Sequence, residues 1–270
     1  MDVNQVKGDV APGFESVKAL FTRQMHTLAE ENAQLCVYHR GKKVVDLWAS
    51  ATGNAAFSAD SLVNIFSSGK SLEAIAVGAL VSRGLIAYDA RITQYWPEFG
   101  AEGKEGVTVA DLMRHEAGLA NFDTPLDAED LFTENIKKNA VGQVIEQHAP
   151  SYSPGGKREY HAITRGWIVN ELFRRVDPEG RTIGEFLRQE ISGPLDADVL
   201  VGVQEQERQR MFPVKPLGLG YQLWQSLLPR FLGRRVLHNV FQLLARIGKI
   251  IPPMIKGGRK SKPPPAFSEM

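Results

Sequence analysis

The sequence predicts a mixed α+β fold, and three observations carry that expectation. Ala33 to Tyr38 and Lys43 to Ala49 are two β-rich runs on either side of Arg40-Gly41, the pattern of a β-hairpin. Leu72, Ile75, Ala76, Ala79 and Leu80 recur at helical spacing, and Val77 and Val81 widen the apolar surface, so a centrally buried helix is expected there. The chain has 270 residues, 43% of them hydrophobic and 23% charged. That is enough to bury about three quarters of its unfolded surface, as one large domain or two lobes.

The other elements follow in chain order. Phe14, Val17, Leu20, Phe21, Met25 and Leu28 predict a first helix over 14–30. After the hairpin, Leu62 to Phe66 is a short apolar run that leads into Ser67-Ser68-Gly69-Lys70-Ser71. The helix beyond it ends near Arg83, with Gly84 placed to close it. Thr108 followed by Asp111 reads as a capped helix start within Val107 to His115. Residues 120–135 are acidic and irregular and are expected to form a surface loop. Ser153-Pro154-Gly155-Gly156 is a turn, Ile163 to Val176 an amphipathic helix, and Thr182 to Ile191 a further short one.

Charge is unevenly distributed. Arg208 to Ser268 holds 12 basic and no acidic residues, which leaves 20 basic and 30 acidic side chains in residues 1–207. The expected organisation is therefore an acidic body, 1–207, and a basic segment, 208–270, made of an amphipathic helix over about 227–251 and a Pro-rich tail. That helix would lie packed on the body or attach to an anionic membrane surface. Nucleic acid is not expected as a partner, because neither aromatic interleaving nor a binding module accompanies the charge. Cys36 is the single cysteine, so no disulfide forms within the chain. The N-terminus has no apolar segment of a signal peptide and no spanning helix is expected, so the default compartment is the cytosol.

The residues best suited to chemistry are Ser67 and Lys70. Ser-x-x-Lys is weak as a bare pattern, and its position at the entry to an apolar helix is what gives it weight. Residues three apart share a helix face, so Lys70 would stand beside Ser67 with free N–H groups nearby. A neutral lysine could then take the serine proton and leave an activated nucleophile. The competing reading makes Ser67 an N-cap and Lys70 a solvated charge, although a cation in the first turn opposes the helix dipole. His115-Glu116 has no second histidine four residues on. No zinc spacing, Walker loop or dinucleotide fingerprint occurs, and neither cofactor nor metal is expected.

Phe66-Ser67-Ser68-Gly69-Lys70-Ser71 resembles the active-site segment of the serine β-lactamase-like family, which includes class C β-lactamases, penicillin-binding proteins and related esterases. Arg83 to Asp89 with Ile92 and Tyr95-Trp96-Pro97, Val107 to Leu119, Ser153-Pro-Gly-Gly156 before Tyr160, and Gly193-Pro194-Leu195 are similar to further segments of that family, in the same order. The resemblance covers about residues 33–200. It implies a β-lactamase/transpeptidase-like fold, an antiparallel sheet flanked by helices with a helical lobe over about 85–200.

The same resemblance implies Ser67 as nucleophile, Lys70 as the base that activates it, and Tyr160 as a second acid/base group. The implied function is a serine acyl-hydrolase that passes through an acyl-enzyme on Ser67 and acts on a small ester or amide. A non-catalytic binding or membrane-associated protein on the same fold is the alternative. Tyr160-His161-Ala162 departs from the family's pattern, which has an amide side chain where Ala162 stands; this favours an ester over a β-lactam or peptide.

The family's late strand with a K-T-G or H-x-G triplet has no counterpart in this sequence. Together with the single hairpin and single short run, this leads to the expectation of a C-terminally incomplete hydrolase, poorly soluble or weakly folded and turning over near background.

Overall fold

The computed structural model describes residues 6–236. Its strands are β1 (Val6–Val10), β2 (Asn32–His39), β3 (Lys42–Ser50), β4 (Leu62–Val63) and β5 (Met211–Phe212). The helices are α1 (Glu15–Thr27), α2 (Lys70–Ser82), α3 (Val109–Met113), α4 (Thr133–Lys137), α5 (Ala140–Glu146), α6 (Thr164–Val176), α7 (Ile183–Leu187), α8 (Gly193–Leu195) and α9 (Leu219–Leu227). The described residues divide into two compact units, residues 6–64 with 206–236, and residues 65–205.

In the first unit β2 and β3 form the expected hairpin. Arg40 and Gly41 both have positive φ, 50° and 75°, as a two-residue type I′ turn requires. β1 pairs antiparallel with the other edge of β3, giving the sheet order β1–β3–β2. Alternation along β3 turns Val45, Leu47 and Ala49 inward, where they meet Phe21 and Met25 of α1. Each large apolar side chain buried in this way contributes roughly 1.5–3 kcal/mol. Gly8 has φ of 91°, and a Cβ there would stand 2.0 Å from the Asp46 carbonyl oxygen, so only glycine lets β1 approach β3.

The sequence reading undercounted strands. β1 was not anticipated, because Val6-Lys7-Gly8-Asp9-Val10 carries two charges and a glycine among its five residues. Nor was any strand expected after residue 200, yet Met211–Phe212 pairs in parallel with Leu62–Val63. Phe57 packs edge-on against Phe212 at 5.1 Å, and Arg210 donates to the Asp60 carbonyl oxygen from Nε and Nη2. The basic helix expected over 227–251 does not begin as one: α9 ends at Leu227, Leu228 is extended and Arg230–Leu232 is a 3-10 turn, while the rest of that segment from residue 237 and the Pro-rich tail lie outside the described residues.

The second unit is helical and built around α2. Ala76, Val77 and Leu80 are buried against Ile168, Val169, Leu172 and Phe173 of α6 and Ile183, Phe186 and Leu187 of α7. The buried stripe is rotated from the expected one: Val77 faces the core, whereas Ile75 is 50% exposed. Gly84, φ 70°, closes α2 as expected, with Leu85 N–H bonded to the Leu80 carbonyl and Gly84 N–H to that of Val81. Thr108 and Asp111 form the predicted capping box of α3, and Thr182 with Glu185 forms one at α7.

Residues 120–135 are not wholly irregular. A third box, Asp127 with Asp130, starts a 3-10 turn at Ala128–Leu131, and α4 follows with Ile136 buried. Lys104 is fully buried, donating to the carbonyls of Ala101, Glu146 and His148 at 2.7, 2.9 and 2.6 Å. Trp96, also fully buried, donates to Glu146 and lies under the Arg175 guanidinium at 3.9 Å.

Candidate active site

Ser67 lies in the 3-10 turn Phe66–Gly69, which runs directly into α2. The N-cap positions of the two helical segments fall to Ile65 and Gly69, and neither makes a side-chain cap bond, so capping does not account for Ser67. Phe66, immediately before it, has φ of 47°, the left-handed region that costs a bulky side chain about 1–3 kcal/mol. Lys70, the first residue of α2, holds its Nζ 3.4 Å from Ser67 Oγ and donates to the Ala162 carbonyl at 2.7 Å. The same Nζ stands 5.4 Å from the ring centroid of Tyr160. The three residues named from the sequence are therefore neighbours, although 90 residues of chain separate Lys70 from Tyr160.

Backbone ties bring Tyr160 to this place. Glu159 N–H donates to the His115 carbonyl, Gly155 N–H to that of Glu116, and Ser151 N–H to that of Gly118. Gly118 has φ of 78°, and a Cβ there would stand 2.6 Å from the Tyr152 carbonyl oxygen, so glycine is required for this close approach. Thr164 Oγ1 donates to the Leu119 carbonyl at 2.6 Å. His161 is fully buried: its Nε2 accepts from Leu119 N–H at 3.0 Å, and its Nδ1 faces the Glu159 carbonyl at 2.6 Å. An amide can only donate and a carbonyl only accept, so the neutral Nδ1–H tautomer satisfies both.

His115 is the hub beneath Tyr160. Its Nδ1 accepts from His161 N–H at 3.0 Å, its Nε2 faces Arg165 Nη1 at 3.3 Å, and its ring centroid is 4.9 Å from that of Tyr160. Burial, then the charges of Arg165, His161, Lys70 and Arg158, push its pKa down to about 4. Burial likewise lowers the pKa of His161. Both imidazoles are thus held neutral near pH 7.

A buried ion pair braces the cluster from behind. Arg165, on α6, donates from Nε and Nη2 to Glu73 Oε2 at 3.0 and 2.9 Å, from Nη2 to the Lys70 carbonyl at 3.1 Å, and from Nη1 to the Met113 carbonyl at 3.2 Å. The sequence reading did not single out this pair. A signal was present: Arg165 precedes Ile168, Val169 and Leu172 by three, four and seven residues, and Glu73 stands in the same relation to Ala76, Val77 and Leu80. Charges on core-facing stripes need a partner. His115, passed over in the sequence for want of a second histidine, is hydrogen-bonded to the Glu159-Tyr160-His161 segment. Among the described residues no group of three or more His, Cys, Asp and Glu side chains could hold a metal ion, and no helix is long and apolar enough to cross a membrane.

A serine and a lysine one helical turn apart thus stand beside a tyrosine from a second segment, on an α+β frame that comparison with known proteins recognises. The Beta-lactamase family model matches residues 17–211, and the chain belongs to that family. It is 36% identical over 202 residues to the esterase/beta-lactamase LipL of Mycobacterium tuberculosis, an alignment covering 73% of this chain and 44% of LipL. The crystal structure of a family VIII carboxylesterase matches with a TM-score of 0.72 at 29% identity, covering 85% of this chain and 63% of the other. A penicillin-binding protein homologue from Caulobacter crescentus matches with a TM-score of 0.71 at 31% identity, covering 79% and 57%. The fold is thus that of β-lactamases and transpeptidases, and the chain spans about half the length of these relatives.

Proposed function

We propose that this chain is a serine acyl-transfer enzyme of the esterase type, with Ser67 as nucleophile. The carrying observation is Lys70 Nζ at 3.4 Å from Ser67 Oγ beside the Tyr160 ring. In the reaction, Lys70 Nζ acts as the base that takes the Ser67 proton as Oγ attacks the carbonyl carbon of an ester. The carbon–Oγ bond forms, the bond to the leaving alkoxide breaks, and Tyr160 hands a proton to the departing oxygen. Water then attacks the acyl-enzyme, giving one proton to the Tyr160 phenolate as its oxygen bonds to the acyl carbon, and the bond to Oγ breaks as Lys70 returns its extra proton to Ser67, releasing the carboxylic acid.

The choice of ester over β-lactam or peptide rests on Ala162. Its methyl group offers no hydrogen bond to a substrate amide, while its carbonyl is already engaged by Lys70. The name of the related family VIII carboxylesterase supports an ester, whereas LipL is named an esterase and a β-lactamase alike.

The test is covalent labelling of the full chain with a fluorophosphonate probe. Label on wild type, located on Ser67 by peptide mass and lost in Ser67→Ala, is expected. Equal labelling of Ser67→Ala, or none of wild type, contradicts the assignment.

A further inference from the structure

We infer that Arg165 is a positioning residue for the Ser67–Lys70 pair: one guanidinium ties the main chain of Lys70 and the carboxylate of Glu73 to the Met113 carbonyl and the His115 ring. The inference rests on the acyl-transfer reading of Ser67 and extends it to a residue that touches neither substrate nor reacting atoms.

Three separate stretches of chain build the site: the first turn of α2, the end of α3 with His115, and the segment from Glu159 into α6. Arg165 contacts the first two directly and belongs to the third. Its donors reach the Lys70 carbonyl at 3.1 Å, Glu73 Oε2 at 2.9 and 3.0 Å, and the Met113 carbonyl at 3.2 Å. The side chain is 8% exposed and that of Glu73 16%, so the pair is shielded from salt and water. A planar fork with five donors can serve acceptors in several directions at once; a lysine ammonium on a flexible stem cannot reproduce that set. Gly166 completes the fit, since a Cβ there would stand 3.1 Å from Glu73 Oε1.

The consequence falls on Lys70. Its carbonyl is fixed by Arg165 and its Nζ is received by the Ala162 carbonyl, three residues before Arg165 in the chain. The two ends of Lys70 are therefore referenced to the same short stretch of chain. On the other side, Arg165 faces His115 Nε2 while His115 Nδ1 receives His161 N–H, which fixes the residue next to Tyr160. A displacement of about 1 Å in such an arrangement costs on the order of 100-fold in rate.

The experiment compares Ser67 labelling by a fluorophosphonate in wild type, Arg165→Lys, and the charge-neutral double variant Arg165→Met/Glu73→Gln, each first checked for a cooperative thermal transition. The limiting first-order labelling rate at saturating probe is separated from the probe concentration giving half that rate. The expected result is a limiting rate on the order of 10- to 100-fold lower in both variants, with half-saturation unchanged within about twofold. The double variant removes the buried charges in matched fashion, so it keeps the test open if Arg165→Lys does not fold. A folded double variant that labels at the wild-type limiting rate would show that Arg165 only neutralises Glu73, and overturns the inference. A change confined to half-saturation overturns it as well. Absence of Ser67 labelling in wild type is a different outcome, which overturns the acyl-transfer reading itself and the inference with it.

Discussion

Lys70 Nζ donates to the carbonyl oxygen of Ala162 at 2.7 Å, a shorter contact than the 3.4 Å that separates it from Ser67 Oγ. The lysine therefore stands between the nucleophile and the segment that carries Tyr160, and both contacts depend on a compact amine at the end of a flexible stem.

Replacing that amine tests its role. Lys70→Arg keeps the charge but supplies a group that is effectively always protonated and cannot act as a base. Ser67 labelling is expected to fall at least about 100-fold while the far-ultraviolet circular dichroism spectrum is retained. Labelling within a few-fold of wild type would remove Lys70 from the mechanism.

Ala162 is exposed beside Lys70, so an asparagine there meets open space. Ala162→Asn adds the amide donor that the natural side chain lacks. The ratio of β-lactam to ester acylation is expected to rise by roughly five- to tenfold, the effect of one hydrogen bond. An unchanged ratio would show that residue 162 does not set the choice of acyl substrate.

The histidines give a pH dependence whose sign follows from their pKa values. His115 is depressed to about 4 by burial and by the cations around it, against about 6.5 in the unfolded chain. Between those values the unfolded state binds a proton that the native state does not, so stability falls as pH is lowered from about 6.5 toward 4. Denaturant unfolding at a series of pH values should show this loss, and His115→Gln should flatten it. A stability that rises over this window would contradict the neutral His115.

Lys104 offers a prediction remote from the site. Its ammonium is received by three carbonyls in the core, and Lys104→Met leaves them without that donor. The expected loss is about 2–4 kcal/mol in denaturant unfolding, through unsatisfied buried acceptors. A loss under about 0.5 kcal/mol would show that water replaces the lysine at no cost.

Elements set by local rules were legible in the sequence. The β2–β3 hairpin followed from Arg40-Gly41 between two β-rich runs, and the capping box at α3 from Thr108 and Asp111. β1 was hidden because a five-residue strand with Gly8 at its centre is specified by its partner β3, not by its own composition. β5 is two residues long and paired across some 150 residues of chain, beyond any local pattern.

The meeting of Ser67, Lys70 and Tyr160 was legible from spacing and resemblance. Arg165 and Glu73 were not, because their meaning lies in a contact between α2 and α6. The bracing of Tyr160 by His161 escaped for the same reason, its hydrogen bonds reaching Leu119 and His115, more than 40 residues away.

The most direct test of the acyl-transfer account is intact-mass analysis of the full chain quenched shortly after mixing with excess p-nitrophenyl acetate. The account predicts one acetyl adduct per chain, on the Ser67 peptide, formed together with a stoichiometric burst of p-nitrophenol and absent from Ser67→Ala. A burst without an adduct on Ser67, or an adduct that survives in Ser67→Ala, would contradict it.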